Sequence, residues 1–74
     1  MANTYCICIS SPPDRERLVA EIFFGEAQWA EISQESSELM IEFYCRPDGE
    51  KWRVDFSSAT AALEEAKQQL LSKS

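Results

Sequence analysis

A chain of 74 residues with 13 acidic and 7 basic side chains carries a formal net charge of −6 and contains no histidine. Its size bounds it to one domain that buries only about 60% of the surface its unfolded form exposes. The charge argues against binding to nucleic acid or an anionic membrane surface, which requires a basic patch.

Residues 1–4 lack the basic and apolar segments of a secretion signal, and no apolar run approaches the roughly 20 residues of a membrane helix. Three cysteines, two of them only two residues apart, suit reduced thiols. A cytoplasmic location is expected. The run Thr4-Tyr5-Cys6-Ile7-Cys8-Ile9 predicts a strand near 3–9, apolar on both faces, and Ser10-Ser11-Pro12-Pro13 ends it because proline cannot donate to a ladder.

Residues 14–24 admit two readings. A capped, proline-started helix would put Leu18, Val19, Ile22 and Phe23 on one stripe. A strand near 17–24 instead puts Leu18, Ala20, Ile22 and Phe24 on one face, with a turn at Gly25-Glu26 and a returning strand near 28–34. The repeated Ala-Glu-Ile at Ala20–Ile22 and Ala30–Ile32, with aromatic and β-branched residues near the turn, favours the strand pair.

Residues 38–45 and 51–57 alternate around Arg46-Pro47-Asp48-Gly49, which predicts a second hairpin with a proline- and glycine-shaped turn. Ser57-Ser58 is the expected cap of a helix near 58–72, whose Ala59, Ala62, Leu63, Ala66 and Leu70 recur at three- and four-residue spacing. The expected architecture is α+β: an antiparallel meander of four to five strands with one C-terminal helix packed on one face, a single domain over 1–74.

Catalytic chemistry finds little foothold. Without histidine the Ser-His and Cys-His nucleophile pairs are absent. The Cys6/Cys8 pair plus a remote Cys45 is not a zinc spacing, and two glycines make no phosphate-binding loop. No enzyme, metal or cofactor is expected.

The informative surface is the sheet face away from the helix. If the helix covers Leu18, Ala20, Ile22, Phe24, Ala30, Ile32, Leu39, Ile41, Phe43, Trp52, Val54 and Phe56, alternation leaves Phe23, Trp29, Met40 and Tyr44 on the other side. They interleave there with Glu21, Glu31, Glu42, Arg53 and Asp55. Aromatics and methionine among carboxylates compose an interface for a basic protein. Trp29, Tyr44 and Trp52 are its candidate anchors and Glu31, Glu42 and Asp55 its charges, although the parity of Trp52 assigns it to the core. A small core and a first strand apolar on both faces also predict a homodimer.

The segments Gln28–Ser33, Ile41–Tyr44, Pro47–Trp52 and Ala62–Lys67 resemble a group of small bacterial proteins, some of which are similar to immunity proteins of polymorphic and contact-dependent toxin systems. Those are small, acidic, cytoplasmic α+β proteins that block a toxin domain. The resemblance spans roughly residues 18–72 and implies a binding function without transferring any site residue. A structural or regulatory homodimer with no toxin partner is the alternative.

Overall fold

A computed structural model describes residues 4–14 and 16–73. Residues 1–3, which include the expected start of the first strand and most of the segment without a secretion signal, lie outside them, as does Arg15. Strands β1 (Tyr5–Ser10), β2 (Val19–Phe24), β3 (Ala27–Ser33) and β4 (Met40–Phe43) form one antiparallel sheet in the order β1-β2-β3-β4. Helix α1 (Phe56–Lys73) packs on one face of it. The fold is therefore the α+β meander with one C-terminal helix.

Residues 19–24 adopt the strand. Its alternate side chains Ala20, Ile22 and Phe24 are all buried, which a helix over the same residues could not bring to one face. A two-residue loop joins β2 to β3, with Phe24 paired to Ala27. Gly25 occupies its first central position at φ 65°, while Glu26 keeps a negative φ, the pattern of a type II′ hairpin. Farther along, the backbone N–H groups of Glu16 and Arg17 donate to the Glu35 carboxylate at 2.9 and 3.2 Å, tying the loop before β2 to the loop after β3.

The helix starts at Phe56, two residues earlier than the serine pair suggests. Asp55 is its cap: the Ser58 backbone N–H donates to Asp55 Oδ2 at 3.0 Å, the N3 bond of a capping residue. Ser58, Ala62, Ala66 and Leu70 are the buried stripe, repeating every four residues. Alanine at two of these positions lets the axis lie close over β2 and β1. Tyr5 adds a tether from β1, its hydroxyl donating to Glu65 Oε1 at 3.1 Å, and that bond raises the phenol above its ordinary pKa.

The core lies between helix and sheet. Ala20, Ile22, Phe24, Ala30 and Ile32 meet Ala62, Ala66 and Leu70, with Tyr5, Ile7, Ile9, Leu18, Ala59 and Leu63 half-buried around them. Leu39, Ile41, Phe43 and Phe56, expected beneath the helix, are exposed instead. A helix about 10 Å across cannot span four strands spaced about 4.8 Å apart. It covers the β1–β2 half and leaves the β4 margin bare.

The expected fifth strand at 51–57 does not form. The turn is present: Gly49 N–H donates to the Arg46 carbonyl at 3.1 Å, and Gly49 takes φ 79°. Arg46 clamps Asp48 through Nε and Nη2 at 3.1 and 2.7 Å. The Glu50 backbone N–H, with that guanidinium, holds the Asp48 carboxyl below its usual range. Beyond the turn the chain must cross the helix face of the sheet to begin α1 over β1 and β2, so it leaves the plane of the sheet. Trp52 marks the departure: its indole N–H donates to the Tyr44 carbonyl at 2.7 Å, and its ring lies 6.4 Å from Phe24. The alternation of Trp52 and Val54 reflects packing of an irregular segment on the core. It does not reflect strand pairing.

Candidate protein-interaction face

The register determines what the helix-free face presents. Cys8 pairs with Glu21, Glu21 with Glu31 and Glu31 with Glu42. Since directly opposite residues point to the same side, three carboxylates stand in one row across β2, β3 and β4, with a thiol at its end. No lysine or arginine occurs in any strand. Basic side chains sit instead in the connections and on the helix, at Arg17, Arg46, Lys51, Arg53, Lys67 and Lys73.

The row is graded in accessibility. Glu42 is exposed, Glu21 half-buried, and Glu31 in the middle is only 6% exposed. The Tyr44 hydroxyl donates to Glu31 Oε1 at 3.3 Å. Tyr44 is held in turn by its own backbone N–H, which donates to the Trp29 carbonyl at 2.9 Å and extends the β3–β4 pairing by a residue. Phe23, paired with Cys6 and Gln28, flanks the row on one side, and Met40, paired with Ser33, on the other.

Phe23, Glu31, Met40, Glu42 and Tyr44 thus share the face that alternation assigns to them. Trp29 does not. Phe23 pairs with Gln28 but Ile22 pairs with Ala30, so Trp29 is the extra residue of a β-bulge. The bulge reverses its parity and turns the indole to the core side. There Trp29 is 8% exposed and makes edge contacts with Phe24 at 5.1 Å and Phe43 at 5.5 Å. Trp52 is on the core side too, its ring under the Arg46 guanidinium at 5.6 Å. Arg53 and Asp55 belong to the crossing segment and the helix cap, outside the sheet.

Cys6 and Cys8 complete the face on β1, which the strand's own alternation could have indicated. Both are exposed free thiols, as is Cys45. Local desolvation, with Cys6 and the Glu21 carboxylate nearby, raises the Cys8 thiol above its ordinary range and makes it a poor nucleophile at neutral pH. Among the described residues no group of three or more Cys, Asp or Glu side chains is arranged to hold a metal ion, and no helix is long and apolar enough to cross a membrane. The chain matches no known protein family, no curated protein and no solved structure.

Proposed function

We propose that the protein is an acidic binding module that engages a basic protein through the helix-free face, with a nuclease-type toxin domain as the partner class. The observation that supports this reading is the in-register row Glu21–Glu31–Glu42. Like charges directly opposite destabilise a sheet. The row concentrates negative charge on one face of the sheet, and its use in this reading is recognition. Nuclease domains are cationic in order to hold nucleic acid, so an acidic face gains association rate and discrimination against them. Phe23, Met40 and Tyr44 supply the apolar surface around the charges.

The test is charge reversal at the accessible ends of the row. Glu21→Lys with Glu42→Lys should abolish co-purification with a basic protein encoded by an adjacent reading frame, while the far-UV circular dichroism stays that of the parent. Unchanged capture would overturn the proposal. Glu31→Lys is the wrong probe, because it forces a cation into a nearly buried position and reports on folding.

A further inference from the structure

We infer that β4 is the pairing edge of a homodimer, joining two copies into one continuous eight-stranded sheet. The sheet has two edges, and they differ. β1 is shielded by α1 on one face and presents the small Cys6 and Cys8 on the other. β4 and the residue on either side of it have large apolar side chains on both faces: Leu39, Ile41 and Phe43 on the helix side, Met40 and Tyr44 opposite, all exposed, with Phe43 at 62% and Met40 at 52%. Met40–Phe43 contains no proline, lysine or bulge, and Glu42 is its one charge.

The backbone is correctly oriented for pairing. The Tyr44 N–H points inward to Trp29, so by antiparallel alternation the N–H and C=O groups of Leu39, Ile41 and Phe43 point outward. Among the described residues no further strand pairs with this edge.

A second copy fits this edge in a definite register. A two-fold axis perpendicular to the sheet keeps helix side with helix side, so either Ile41 or Glu42 can lie on the axis. Glu42 on the axis would set two carboxylates directly opposite, which is unfavourable. Ile41 on the axis pairs Ile41 with itself, Leu39 with Phe43, and Met40 with Glu42. Every outward backbone group then finds a partner, and the bare apolar margin beside α1 is covered by its own symmetry mate. The exposed side chains bring roughly 400 Å² per copy, about 800 Å² in all, less than the roughly 1,000 Å² of a stable interface, so the dimer is a weak and transient one. A dimer dissociating in the micromolar range or above follows. The inference stands apart from the basic-partner reading, because edge pairing leaves the helix-free face of the sheet uncovered by the mate on both copies.

Sedimentation equilibrium of the full chain tests it. From micromolar to millimolar concentration the mass should rise from 8.4 kDa toward twice that value. Ile41→Lys should hold it at 8.4 kDa with unchanged circular dichroism, while Cys8→Lys on β1 should leave dimerisation intact. In a chain with Cys6, Cys8 and Cys45 replaced by serine, Ile41→Cys should form a disulfide-linked dimer under a mild oxidant and Glu42→Cys should not. A monomer at every concentration, a dimer lost through the β1 variant alone, or cross-linking through Glu42→Cys in place of Ile41→Cys would overturn the inference.

Discussion

Replacing Trp29 with alanine should destabilise the fold by about 3–5 kcal/mol, the range for a large aromatic removed from a core. The denaturant midpoint measures the loss. The same substitution in Phe23, half-buried on the opposite face, should cost less and act on binding. The contrast rests on the bulge alone, since plain alternation sends both side chains to the same side. Nothing in Gln28-Trp29-Ala30 announces an extra residue. The bulge exists because the tight Gly25-Glu26 turn sets one register near the loop, while Ala30 and Ile32 must face the helix in the other. Glu31, Glu42 and Tyr44 lie beyond the bulge, where parity is regular again, and their common face was readable from spacing.

At the scale of elements, the two halves of the meander were unequally legible. Gly25 and the flanking alternation of β2 and β3 specify a hairpin locally, so the pattern sufficed. Lys51–Phe56 has the same alternation and the same kind of turn before it, yet forms no strand. What decides its path is the destination of the chain, since α1 must reach the far half of the sheet, and that constraint is tertiary. The cap is hidden in the sequence for a related reason: alternation that runs on to residue 57 makes Asp55 read as a strand residue and not as a helix start. Asp55→Ala should cost about 1 kcal/mol through loss of the bond from Ser58. It should lower the melting temperature without affecting capture of a basic partner, whereas a role as an interface charge would do the reverse.

For the molecule as a whole, the meander has a kinetic consequence. Each strand pairs with its neighbour in sequence, β2 and β3 through a two-residue loop, so the sheet assembles from local contacts that close fast. The long closure is the helix, whose tether from Tyr5 to Glu65 spans 60 residues. Loop-closure entropy places that docking after the sheet has formed. The transition state should then contain β2–β3 and lack α1. Leu70→Ala, which deletes a fully buried side chain at the junction, should cost about 2–5 kcal/mol. In a chevron plot that loss should fall almost entirely on the unfolding limb, whereas Ile22→Ala should slow folding. Resistance to unfolding is thus set by the last element to arrive: a cell that degrades this protein need only release the C-terminal helix.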